Sequence, residues 1–118
     1  MIPTLTITKK FTFDSAHFLP NYVGKCKQMH GHTYILEVSI EGKINPDTGM
    51  VIDFHQIQYV VQSKVISVLD HRLINDIIPN PTAENIIIWV RDQVSGSFKD
   101  TPISLKLWEN SDSYVELK

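Results

Sequence analysis

The chain has 118 residues, 42% of them hydrophobic and 20% charged, with 11 lysines and arginines against 13 aspartates and glutamates. A net charge of −2 argues against a polyanion-binding surface, so nucleic acid is not an expected partner. The single cysteine cannot close an intrachain disulfide, no apolar signal core opens the chain and no apolar run reaches membrane-spanning length, so a cytoplasmic protein with no membrane partner is expected.

The size fits one domain, residues 1–118, small enough that association with further copies would help it bury surface. Leu5, Ile7, Phe11 and Phe13 share one parity against Thr4, Thr6, Thr8, Lys10 and Thr12, which predicts a half-buried strand. Beyond a loop around Asn21 to Gly24, Tyr34, Leu36, Val38 and Ile40 alternate with Thr33, Glu37, Ser39 and Glu41, a second strand that should pair antiparallel with the first. Asn45-Pro46-Asp47-Thr48-Gly49 is a turn cluster, and Met50 to Phe54 reads as a short extended piece. Ile57, Val60, Val61, Val65, Val68 and Leu69 recur at helical spacing, predicting a helix in spite of its β-branched residues. Pro79 and Pro81 break the chain, Thr82 can cap a second helix with Glu84 in its first turn, and Ala83, Ile86, Ile87, Val90 and Val94 form its apolar face. Ile103, Leu105 and Leu107 alternate with Ser104 and Lys106 in a third strand, and Tyr114 to Leu117 supply a fourth. The order ββααββ specifies an α+β domain, a four-stranded antiparallel sheet with two helices on one face.

Cys26-Lys27-Gln28-Met29-His30-Gly31-His32 places the only thiol close to two imidazoles, and His17 lies upstream. Three nitrogen ligands leave one position of a tetrahedral zinc open, the pattern of a catalytic rather than a structural site. Extending the apolar parity of the first strand through Ser15 reaches His17, and that of the second runs back through His32 to His30. All three rings then project from the core face, and antiparallel pairing brings them together if no bulge intervenes. Gly31 keeps the crowded backbone permissive. Taken singly, each is an ordinary satisfied histidine; three on one face point to a metal. Cys26 fits either of two roles, fourth ligand of a closed Cys/His₃ structural site or thiolate base beside the metal.

Asp70-His71 falls where the first helix runs out and reads either as a proton relay or as a solvated helix end. His55 reads as a solvated residue near a helix start. Glu109 continues the parity of Leu105 and Leu107, and burying a carboxylate unpaired is costly. It either caps the sheet at solvent or awaits a ligand with two parallel N–H donors, such as a guanidine-like ring edge. The lack of a His-Glu-x-x-His pattern counts against a zinc hydrolase.

Phe13-Asp14-Ser15-Ala16-His17-Phe18-Leu19, Cys26 separated by three residues from His30-Gly31-His32, Gly49-Met50-Val51-Ile52-Asp53-Phe54, Leu69-Asp70-His71-Arg72-Leu73-Ile74-Asn75, Pro81-Thr82-Ala83-Glu84-Asn85, and Glu109 ahead of Tyr114 form an ordered set. Together they closely resemble the 6-pyruvoyl-tetrahydropterin synthase family, in particular its bacterial and archaeal branch, the 6-carboxy-tetrahydropterin synthases of queuosine biosynthesis. The resemblance implies the tunnelling fold, with subunits joined edge to edge into a barrel, commonly a homohexamer, and active sites at subunit interfaces. By the same resemblance His17, His30 and His32 hold catalytic zinc, Cys26 is the general base, Asp70 and His71 assist proton transfer, in a neighbour's site if sites are shared, and Glu109 anchors the pterin ring. The implied reaction converts 7,8-dihydroneopterin triphosphate to 6-carboxy-tetrahydropterin, acetaldehyde and triphosphate. The three-residue gap between Cys26 and His30 is similar to the carboxy-tetrahydropterin branch; 6-pyruvoyl-tetrahydropterin synthesis and a non-catalytic zinc module are the alternatives. Lys25, Lys27 and Arg72 are candidates for the phosphates, and Asn110 departs from the threonine that many relatives carry after the glutamate.

Overall fold

A computed structural model describes residues 2–98 and 101–118. Strand β1 (Thr4–His17) and strand β2 (His30–Lys43) pair antiparallel along their whole length, with Phe11 opposite Leu36, Ser15 opposite His32 and His17 opposite His30. Because side chains alternate between faces, this unbroken register puts Phe11, Phe13, Ser15 and His17 on the buried side and leaves Thr12 and Asp14 exposed. Strand β3 (Ile103–Asn110) pairs with β2 and strand β4 (Ser113–Leu117) with β3, giving the order β1-β2-β3-β4.

Two helices cover the apolar face of the sheet. Helix α1 (Phe54–Val61) continues through a π-helical turn, Gln62–Ile66, into a last α turn, Ser67–Leu69. Its start is fixed by Asp53, whose carboxylate accepts the His55 amide at 2.8 Å and so satisfies one of the free donors of the first turn. Helix α2 (Ala83–Val94) is capped by Thr82, whose hydroxyl accepts the Asn85 amide at 3.1 Å. Ile57, Val61 and Leu69 from the first helix and Ile86, Val90 and Val94 from the second pack onto Tyr34, Leu36, Val38, Ile40, Leu105 and Leu107 in one core.

Two local expectations are corrected. The π-helical turn adds a residue to the helical repeat, so Ile66 is buried beside Val65, and Val68 is only half-buried. Met50 to Phe54 is not an extended piece: Met50 makes an isolated bridge to Asn45 that closes the turn cluster, and the helix has begun by Phe54. A residue whose backbone is engaged in closing a turn and a residue that caps a helix leave too few free groups between them for a strand.

Among the described residues neither β1 nor β4 has a strand partner on its outer side. The outer edge of β1 is met only near its end, by the segment that leaves the first helix: the His71 amide donates to the Asp14 carbonyl at 2.7 Å and the Ala16 amide to the Arg72 carbonyl at 3.0 Å. That short pairing fixes where Asp70 and His71 stand. Among the described residues no helix is long and apolar enough to cross a membrane.

Candidate metal centre

The cross-strand pair His17–His30 and the neighbouring His32 bring three imidazoles together at the end of the β1–β2 ribbon, with ring nitrogens that all lie within 4.8 Å of one another. The parity reading of the three is therefore borne out. His17 is 1% exposed, and its Nδ1 lies 2.8 Å from the Pro81 carbonyl. His30 places its Nδ1 2.8 Å from the Gln28 carbonyl. A carbonyl can only accept, so each Nδ1 carries the proton and each Nε2 presents a lone pair.

Those two Nε2 atoms face each other at 3.0 Å. Two lone pairs at that distance repel unless a cation lies between them, and two nitrogens bound tetrahedrally to one zinc at about 2.0–2.1 Å stand about 3.4 Å apart. The Nε2 of His32 is buried without a hydrogen-bond partner. Burial pushes the pKa of His17 and of His32 down, against the opposing pull of the Glu109 carboxylate, so both rings are neutral donors at neutral pH. Orientation by backbone carbonyls is the usual support of metal-bound imidazoles. The donor set fits a divalent, nitrogen-seeking ion such as zinc.

The remaining predicted residues are distributed around this cluster. Cys26 sits half-buried on a short 3₁₀ turn, Lys25–Lys27, tied to the end of β1 by the Leu19 amide, which donates to the Cys26 carbonyl at 2.8 Å. Its sulfur does not join the three histidines in the group whose ligand atoms lie mutually within 4.8 Å, which counts against a fourth ligand. Glu109 lies where the β3–β4 register shifts between Trp108 and Asn110, and its Oε1 is 3.6 Å from His32 Nε2. On its other side it lines a hollow of about 190 Å³ with Ala83, Glu84, Ser113, Tyr114 and Val115. Asn110 closes the β3–β4 turn, its side chain accepting the Asp112 amide at 3.0 Å.

Asp70 and His71 form a second cluster with Asp14, separate from the three histidines. Asp70 Oδ2 is 2.9 Å from His71 Nδ1, and Asp70 Oδ1 accepts the Asp14 amide at 2.9 Å. The amide bond from Asp14 and the contact with His71 hold the Asp70 carboxyl below the usual carboxylate range. His71 has φ 57°, and with Asp14, Ala16, Gly31, Thr33 and Arg72 it borders an open hollow over the small Ala16–Gly31 pair. Lys25, Lys27 and Arg72 are exposed and have no ion-pair partner among the described residues. His55 is solvent-exposed, as expected.

Sequence reasoning missed Tyr34 as a neighbour of the centre. This buried phenol, whose pKa burial pushes up, stacks on Phe13 and sets its hydroxyl 3.3 Å from His17 Nδ1. The signal was available, since Tyr34 lies two residues beyond His32 on the same face.

Comparison with known proteins supplies a family. The family model for 6-pyruvoyl tetrahydropterin synthase matches residues 6–118. The chain is 38% identical to a dihydroneopterin monophosphate aldolase of Pyrococcus furiosus, over 95% of this chain and 96% of that protein. It is 31% identical to a 6-carboxy-5,6,7,8-tetrahydropterin synthase of Haemophilus influenzae, over 93% and 96%. The solved structure of the 6-pyruvoyl tetrahydropterin synthase of Caenorhabditis elegans shares the fold, with a TM-score of 0.88 at 22% identity over 99% of this chain and 96% of that one.

Proposed function

Because the chain belongs to the 6-pyruvoyl tetrahydropterin synthase family, we propose that it is a zinc-dependent lyase converting 7,8-dihydroneopterin triphosphate to 6-carboxy-5,6,7,8-tetrahydropterin, acetaldehyde and triphosphate, a step of queuosine biosynthesis. The observation that carries this reading is the convergence of three imidazoles with two carbonyl-fixed Nε2 lone pairs, together with a thiol separated from the second ligand by three residues of sequence. The carboxy-tetrahydropterin relative and that three-residue gap favour the carboxy product.

His17, His30 and His32 would hold the zinc. Bound there, the metal supplies polarisation of the substrate's side-chain hydroxyls and stabilises the negative charge that develops beside them. Cys26, as thiolate, takes up and returns protons along that side chain. Asp70 holds the Nδ1 of His71 and leaves the other ring nitrogen to exchange a proton with substrate. Since the Asp70–His71 cluster stands apart from the histidine triad within one chain, it is assigned to the site of a neighbouring copy in a homo-oligomer, with the expected homohexamer as its form. The open edges of β1 and β4 are suited to such association. Glu109 accepts the ring's N3–H and 2-amino donors from the wall of its hollow.

The aldolase relative, at 38% identity, favours a second reading: carbon–carbon cleavage of the side chain without formation of a carboxylate. The deciding experiment is incubation of the purified, zinc-loaded protein with 7,8-dihydroneopterin triphosphate and mass analysis of the pterin. A carboxylated product with acetaldehyde is expected. A pterin that has lost triphosphate but kept its three-carbon chain would replace this reading with pyruvoyl synthesis, a hydroxymethyl pterin from this substrate or from dihydroneopterin monophosphate would replace it with the aldolase reading, and both substrates unaltered would leave a zinc-binding module.

A further inference from the structure

Glu109 occupies two neighbourhoods. Glu109 lies at the β3 irregularity between Trp108 and Asn110, where one flank lines the hollow beside Tyr114 and Val115. The other flank places Oε1 3.6 Å from His32 Nε2, which among the described residues is a buried nitrogen with no hydrogen-bond partner. Imidazole ligands bring no negative charge of their own to a divalent ion. Glu109 is the one carboxylate whose field acts on both His17 and His32, and with its side chain 28% exposed that field is only partly screened by water.

We propose that Glu109 is part of the metal centre as well as of the pterin pocket, its negative charge setting the affinity of the three histidines for zinc before any substrate arrives. The carboxylate lies outside the group of mutually close ligand atoms, so it acts through its charge and not as a ligand. This inference rests on the reading of His17, His30 and His32 as a zinc site, and extends the role given above to Glu109.

The test is zinc titration of the metal-free, full-length protein against a competing chelator, with no pterin present. Glu109→Gln, which keeps the shape and removes the charge, is expected to bind zinc at least about tenfold more weakly, the scale on which outer partners of metal ligands act. Glu109→Asp is expected to recover most of that loss. Asp92→Asn, which neutralises an exposed carboxylate on helix α2, is expected to stay within about twofold of the parent protein. Equal zinc affinity in the parent and Glu109→Gln overturns the proposal, as does an aspartate variant as weak as the glutamine one. A parent protein that binds no zinc overturns the metal-site reading itself, and the parent titration alone shows that.

Discussion

His17 and His32 are both assigned to zinc, yet their removal should affect the metal-free fold in different degrees. Replacing His17 by Ala empties a side chain that is 1% exposed and leaves the buried Pro81 carbonyl without its 2.8 Å donor. An abandoned buried acceptor costs about 1–3 kcal/mol, and the cavity left by a ring adds about 2 kcal/mol more, for a total of about 3–5 kcal/mol. Unfolding entropy of about 2.1 cal/mol/K per residue gives about 0.25 kcal/mol/K for this chain, so the melting temperature should fall by about 12–20 °C. His32→Ala removes a nitrogen that already has no partner, so only packing is lost, about 1 kcal/mol or about 4 °C. Both variants should lose stoichiometric zinc. The assay is thermal unfolding by circular dichroism in the presence of a strong chelator, with metal content measured separately. If the two metal-free variants melt within about 2 °C of each other, the carbonyl-anchored account of His17 is wrong.

Cys26→Ala should retain zinc and lose turnover by at least about a hundredfold, as removal of a positioned base does; loss of zinc measured by elemental analysis would make the thiol a ligand. Asp70, whose carboxyl is held below its ordinary range by the Asp14 amide and by His71, contributes stability that is present above the unfolded carboxylate pKa of about 3.9 and is lost as pH falls through the lower folded value. The difference in urea midpoint between the parent and Asp70→Asn should therefore be full at pH 7 and narrow as pH falls below the unfolded value of about 3.9, and a gap that does not narrow on acidification contradicts the assignment. Inactive His30→Ala and His71→Ala proteins, unfolded together and reassembled, should recover about a quarter of parental activity by random assortment if a site joins two copies. No recovery in a mixed oligomer confirmed by mass would place the whole site within one chain.

The placement of the three histidines was legible because a strand has a period of two: Phe11, Phe13 and Ser15 lead to His17, and Tyr34 leads back to His32 and His30, along a ribbon whose register never breaks. The caps at Thr82 and the apolar faces of both helices were legible for the same reason, that their spacing is local. What holds the imidazoles was not. Pro81 and Gln28 act through their carbonyls, a group that every residue has, so no side-chain pattern announces them. The π-helical turn at Gln62–Ile66 and the irregularity beside Glu109 each shift a repeat by one residue, and such shifts are settled by tertiary packing. The parity of Glu109 leaves open whether it meets solvent or a ligand, and its approach to His32 depends on the folded course of β3.

His71 adopts φ 57°, a left-handed conformation that costs a residue with a β-carbon about 1–2 kcal/mol. Glycine would occupy the same turn without that penalty. Directed evolution for heat resistance alone would favour His71→Gly and discard the imidazole that Asp70 holds at 2.9 Å. At this one position the durability of the scaffold and the chemistry it presents are optimised by different amino acids.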